Sequence, residues 1–132
     1  MSGSTVVLGD WSTVWVSSNG GSTFVQRGVA DGISCGTSSV QVQDVAVSGS
    51  GAPWVATSCG AFVSTDGGVS FARPAAVDLP TGYVYGVESK AGAPTYFDTD
   101  AGVAISTDGG ATVTWRKATE GIQGARASVY VP

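Results

Sequence analysis

The chain has 132 residues, 42% hydrophobic and 12% charged, the balance of one folded domain with its own core rather than of a disordered segment. A net charge of −4 with six Lys and Arg leaves no basic stripe to neutralise phosphates, so nucleic acid is excluded as the expected partner, and anionic membranes are disfavoured. No apolar run approaches the roughly 20 residues that span a bilayer, and Met1-Ser2-Gly3-Ser4 lacks a charged and then apolar leader and reads as an added junction.

Twenty glycines among many Val, Ser and Thr point to strands and turns, because β-branched side chains crowd a helix and suit a pleated surface. In chain order, Thr5–Leu8, Val14–Ser17 and Thr23–Arg27 read as three strands. Four follow at Val42–Ser48, Pro53–Thr57, Ala61–Ser64 and Val69–Arg73, and four more at Tyr83–Ser89, Thr95–Phe97, Val103–Ser106 and Ala111–Lys117. A last alternating segment, Arg126–Val131, has the character of an innermost strand. The next-to-last strand of each group runs into the same turn: Ser17-Ser18-Asn19-Gly20-Gly21, Ser64-Thr65-Asp66-Gly67-Gly68 and Ser106-Thr107-Asp108-Gly109-Gly110. Asn-Gly or Asp-Gly between strands is a tight-hairpin signal that uses positive φ at glycine.

The turn serines are spaced by 47 and then 42 residues, the length of one four-stranded propeller blade. The expected fold is therefore all-β, a single domain over residues 1–132 with blades at about 5–27, 42–73 and 83–117. The first group lacks an innermost strand, and residues 126–131 are expected to supply it. Three blades do not close a ring, since propellers have typically 4 to 8. A six-bladed two-fold homodimer with exchanged C-terminal strands is the leading assembly; a piece of a longer propeller chain is the rival.

These turns resemble the Asp-box, or bacterial neuraminidase repeat, with the pattern Ser-x-Asp-x-Gly-x-Thr-Trp. It is carried by Ser64, Asp66, Gly68, Ser70 and Phe71 in the middle copy. Ser106, Asp108, Gly110 and Thr112 carry it in the third, with Trp115 displaced by two residues from the aromatic position, and Ser17, Asn19, Gly21, Thr23 and Phe24 in the first. The resemblance implies propellers like those of sialidases, sortilin-type receptors, xyloglucan-degrading glycosidases and photosystem assembly factors, and it places the boxes on the rim opposite the functional face. The box side chains themselves read as structural, accepting hydrogen bonds from backbone N–H groups of their own turns.

The expected functional face bears Asp10–Thr13, Gly28–Gln41, Thr57–Gly60, Pro74–Gly82, Asp98–Gly102 and Lys117–Ala125. Cys35 and Cys59 both fall in this set, which favours a disulfide and a secreted protein over two reduced thiols. On the same face Asp10 and Trp11, Asp98 and Asp100, and Tyr83 and Tyr85 suit carbohydrate, whose apolar ring faces stack on aromatics while its hydroxyls bond carboxylates. Trp15, Trp54, Tyr96 and Trp115 are expected in the core.

Catalysis has weaker support. Arg27, Arg73 and Arg116 end outermost strands, where they are expected to lie solvated at the ring's edge, and Arg126 alone is not a sialidase triad. Asp44 and Glu88, on innermost strands, are the best pair for a glycosidase, which needs two carboxylates within about 5 to 10 Å. There is no histidine, so Ser-His-Asp and Cys-His systems and histidine metal sites are absent, and no cofactor or metal is expected. The leading expectation is a non-catalytic carbohydrate-binding module. Protein recognition, a glycoside hydrolase, and a structural or engineered propeller fragment without ligand are the alternatives.

Overall fold

The computed structural model describes residues 5–36, 39–76, 79, 81–90 and 92–116. They form ten strands in three antiparallel sheets, with one short 3-10 turn at Val29–Asp31 and no α-helix. The first sheet is β1 (Val6–Gly9), β2 (Val14–Ser17) and β3 (Val25–Arg27) in that order. The second is β4 (Val42–Val47), β5 (Pro53–Thr57) and β6 (Gly60–Val63). The third is β7 (Val84–Glu88), β8 (Thr95–Thr99), β9 (Gly102–Ser106) and β10 (Thr114–Arg116). The expected innermost strand at Arg126–Val131 lies outside the described residues.

The strands that follow the Gly-Gly turns are shorter than the sequence suggests, and those turns are the reason. Val69–Arg73 reduces to a single bridge between Val63 and Ala72. The N–H groups of Val69 and Ser70 donate to Asp66 Oδ1, at 3.1 and 2.9 Å, and that of Phe71 to the Asp31 carbonyl at 2.8 Å. Those donors are spent before the strand can pair. The amide of Thr23 likewise goes to Asn19 and that of Thr112 to Asp108, so β3 and β10 begin only at Val25 and Thr114.

The second sheet is the middle layer and buries both faces, which is why all five residues of β5 are buried. On one side Val55, Phe62 and Phe71 meet Val7, Val14 and Val16 of the first sheet, with Ile33 and Val40 from the β3–β4 connection. On the other, Trp54, Ala56 and Ala61 meet Val84, Val87, Phe97 and Ala104 of the third sheet. Trp54 packs edge-on against Phe97, with ring centroids 5.3 Å apart, an arrangement favoured by the ring quadrupoles. Trp115 packs against the same core, as expected, and Tyr96 is half-buried. Trp15 departs from expectation: it is 36% exposed, because it lies on the face of the first sheet turned away from the second.

Cys35 and Cys59 are joined by a disulfide, with Cα atoms 5.6 Å apart. The bond ties the β3–β4 connection to the β5–β6 turn, and it is compatible with an extracellular location. Among the described residues no helix is long and apolar enough to cross a membrane.

Candidate functional site

The three Ser-x-Asp/Asn-Gly-Gly turns share one hydrogen-bonding plan. In each, the serine hydroxyl donates to the Asp or Asn Oδ1 (Ser17 to Asn19 2.8 Å, Ser64 to Asp66 2.7 Å, Ser106 to Asp108 2.9 Å) and accepts from the second glycine N–H. The paired glycines have positive φ throughout, 73° and 94°, 76° and 89°, 71° and 92°. The Asp66 and Asp108 carboxylates are thus occupied inside their own loops.

These bonds also set the charge state. The Ser70 hydroxyl and amide, then the Ser64 hydroxyl, hold Asp66 far below the usual carboxylate range, and the Thr112 hydroxyl and amide with the Ser106 hydroxyl lower Asp108 to about 2. An unfolded Asp titrates near 3.8, so each depressed carboxylate contributes stability that is complete above that pH and is lost as pH falls toward the folded value. Asn19 does not titrate. On acidification below pH 4 the amide signals of Ser70 and Thr112 should therefore shift while that of Thr23 holds. A simultaneous change at all three turns would mean global unfolding and contradict this reading.

At the opposite end of the sheets the side chains form a chain of contacts. β4 and β7 each carry a bulge at the same place, the register shifting between Val42 and Asp44 and between Val84 and Gly86. A bulge bends the strand and re-aims a side chain; Tyr85 sits in the second of them. Its ring stacks on that of Tyr83, with centroids 5.3 Å apart and planes inclined by 16°. The Tyr83 hydroxyl bonds Gln41 Oε1 at 3.0 Å, and the Tyr85 hydroxyl bonds Asp100 Oδ2 at 3.1 Å. Gln41 is held in turn by Ser58, its N–H donating to Ser58 Oγ at 3.0 Å and its carbonyl accepting from Ser58 N at 2.9 Å. Next to Gln41, the Val42 amide donates to the Trp11 carbonyl at 2.9 Å, which brings the Trp11 turn alongside. The Trp11 side chain is 75% exposed.

Trp11, Ser58 and Asp100 occupy the same place in the connections that join the equivalent strands of the three sheets. The equivalence is visible in Asp10 N donating to Thr13 O, and in Thr57 and Thr99 each bonding the carbonyl three residues on, at Gly60 and Gly102. One turn position from each sheet, together with the start of β7, thus builds a continuous surface. Gln41 was not singled out from the sequence. The signal available is the repeat itself: Gln41 and Gln43 precede and follow Val42 as Tyr83 and Tyr85 flank Val84.

The other residues singled out from the sequence lie elsewhere. Asp98 is not in the loop expected for it; it stands within β8, opposite Gly86 and Val103, and is 1% exposed. Strand β8 runs two residues further than the pattern suggested, and this takes Asp98 inside. Asp10 is exposed and accepts the Trp11 amide at 2.7 Å. Asp44 accepts from Val45 N and from Val87 N, at 2.9 and 3.0 Å, and so ties β4 to β7. Glu88 lies at the far end of β7 from Tyr83, 3.6 Å from Lys90. Asp44 and Glu88 are therefore engaged separately, one on backbone amides and one on a lysine.

The arginines do not converge; Arg73 and Arg116 are exposed, as expected of edge groups, whereas Arg27 is half-buried. Arg27 Nε donates to the Gly68 carbonyl in the second sheet's box at 2.9 Å, with Asp31 at 3.6 Å. Arg73 donates to the Cys59 carbonyl at 2.6 Å and lies 4.8 Å over the Phe62 ring. Arg126 is outside the described residues.

A cavity of about 450 Å³ opens at the box-turn end between the second and third sheets, lined by Ser48, Ser50, Trp54, Ser89, Lys90 and Thr107 among others. Its size is that of a small-ligand site, but Trp54 is only 2% exposed and offers no ring face to a ligand. Among the described residues no group of three His, Cys, Asp or Glu is placed to hold a metal ion. No family model, no curated protein and no solved structure matches this chain.

Proposed function

We propose that the three sheets are Asp-box propeller blades and that the chain is a secreted, non-catalytic binding module for carbohydrate, bound at the surface formed by Trp11, Gln41, Tyr83, Tyr85 and Asp100. The observation that carries this is the Tyr83–Tyr85 stack, whose two hydroxyls are fixed by Gln41 and Asp100. Fixed rings cost a ligand little ordering entropy when it binds. The Trp11 face, 75% exposed on a surface otherwise rich in amide and carboxylate groups, offers the second platform that a sugar ring needs.

In the same reading the ring is completed by a second copy, giving six blades. The edge of the first sheet at β1 receives Arg126–Val131 of that copy, which removes an exposed sheet edge. Three features support blades: the repeated box, the repeated bulge on β4 and β7, and sheets that pack face to face in chain order.

The test is binding to a panel of immobilised glycans, followed by titration of the best ligand. Trp11→Ala and Tyr83→Ala should each weaken binding by roughly tenfold or more, as loss of an aromatic platform worth about 1.5 kcal/mol would, with unchanged thermal melting. Equal binding by wild type and both variants would reject the site. Absence of binding across the panel would reject the ligand class.

A further inference from the structure

The two outward faces of the molecule are the separated halves of a junction that the chain itself makes twice. Aligning the sheets on Ser17, Ser64 and Ser106 superimposes β2, β6 and β9 residue by residue. Two residues before the serine stand Trp15, Phe62 and Ala104, with cross-strand partners Leu8, Val55 and Phe97. In the second and third sheets this pair is buried against the preceding sheet. In the first sheet its counterparts, Leu8 and Trp15, are 50% and 36% exposed, and no described sheet precedes them.

The complementary face obeys the same rule. One and three residues before the serine stand Val16 and Val14, Val63 and Ala61, Ile105 and Val103. In the first two sheets these pack against the following sheet. Ile105 and Val103 are half-buried on the far side of the third sheet, which no described sheet follows.

The junction between the first and second sheets also has a polar clasp; at the next junction Arg73 donates to the Cys59 carbonyl instead, and the Gly110 carbonyl accepts from Ala76 N. Arg27, paired with Val14 on β2, donates to the carbonyl of Gly68, the second box glycine of the next sheet. That glycine lies so close to the preceding sheet that a Cβ there would stand 2.4 Å from Val16, and one at Gly110 would stand 2.7 Å from Trp54. Arg116 of β10, paired with Val103 on β9, holds the place of Arg27, and Gly21 holds the place of Gly68. A Cβ at Gly21 would meet nothing nearer than Phe24 of its own turn, at 3.9 Å.

We infer that a second copy of this chain docks head to tail here: Val103 and Ile105 of one copy cover Leu8 and Trp15 of the other, and Arg116 donates to the Gly21 carbonyl across the contact. A second copy is the fitting occupant because the exposed apolar faces reproduce the two halves of the internal junctions, and Arg116 and Gly21 stand where Arg27 and Gly68 stand at the first of them. With two-fold symmetry the contact occurs twice and closes. The inference rests on reading the sheets as blades of a ring shared by two copies.

The test is solution mass by light scattering and sedimentation over a wide concentration range, for wild type, Arg116→Ala, Trp15→Asp and Ile105→Asp, with near-UV circular dichroism as the check on folding. Wild type should be a dimer. Arg116→Ala should raise its dissociation constant at least tenfold, since a charge-assisted hydrogen bond is lost at each of two contacts, and the two Asp variants should be monomers. Arg116 is exposed, so that variant stays informative even if an Asp variant misfolds. An equimolar mixture of the two Asp variants should partly recover the dimer, because one of its two contacts joins the unmutated faces. A wild-type dimer unmoved by any substitution would overturn this junction and leave the shared ring standing on other surfaces. A wild-type monomer at all concentrations would overturn both.

Discussion

Trp54→Ala should be the most damaging single substitution in the described fold, lowering stability by about 3–5 kcal/mol, the range for deleting a buried aromatic. Trp54 is the largest fully buried side chain, 2% exposed, and it is the piece that the second and third sheets share. Its ring meets Phe97 edge-on and lies directly under Gly110, whose missing Cβ leaves the room it fills. The glycine's neighbours are held as well, since the Gly110 carbonyl accepts from Ala76 N at 2.8 Å. A backbone pinned in this way relaxes poorly into a cavity, which places the cost toward the upper end of the range. Urea denaturation followed by fluorescence measures it, and Trp11→Ala is the internal control, because an indole 75% exposed contributes little to stability. A loss below about 1.5 kcal/mol at Trp54 would mean that the junction between these sheets is not packed as described.

Removing the disulfide should cost nearly as much. Cys35 and Cys59 are 24 residues apart, and the chain-entropy estimate for such a loop is about 3.5 kcal/mol. The connection it anchors is not a passive loop: it carries Ile33 and Val40 into the first core and ends at Gln41 in the proposed binding surface. The bond is backed by Arg73, which grips the Cys59 carbonyl, and by Ser58, which holds Gln41 from both sides. The Cys35→Ser/Cys59→Ser double variant should therefore melt roughly 10 °C lower and lose order first in the 28–41 connection, read by hydrogen exchange. A melting point within 2 or 3 °C of wild type would show that these polar contacts hold the connection unaided.

What was legible in the sequence is what the backbone imposes locally. Ser-x-Asp-Gly-Gly and its Asn variant specify a turn through paired positive-φ glycines and one side chain that satisfies several amides, so the three turns could be read directly. The strands next to them followed from β-branched content and turn spacing, and the cysteines from both lying in connections at one end. The outermost strands were overextended because the pattern of residues does not show that Asp66 and Asp31 have already taken the amides of Val69, Ser70 and Phe71.

In the candidate site, Trp11 and Asp100 were legible as an aromatic and an acid in one set of connections, and Tyr83 and Tyr85 as aromatics at the start of a strand near them. Asp98 was misplaced because a two-residue extension of β8 decides whether it sits in a loop or inside the sheet. Gln41 was invisible as chemistry, and it emerges only when the bulges of β4 and β7 are seen to match. Arg27 could not have been assigned, because its partner is a main-chain carbonyl that carries no residue signature. Trp15 was expected to be buried because it stands at a strand position. Its exposure follows from having no described sheet in front of it.

The most direct test of the central claim is to titrate the isotopically labelled protein with the tightest glycan ligand and follow amide and indole shifts by nuclear magnetic resonance. The largest changes are expected at the Trp11 indole and at Gln41, Ser58, Tyr83, Tyr85 and Asp100, with the turns at Asn19, Asp66 and Asp108 unmoved. Shifts confined to Ser48, Ser50, Lys90 and Thr107 would place the ligand in the cavity at the other end of the sheets and contradict that claim.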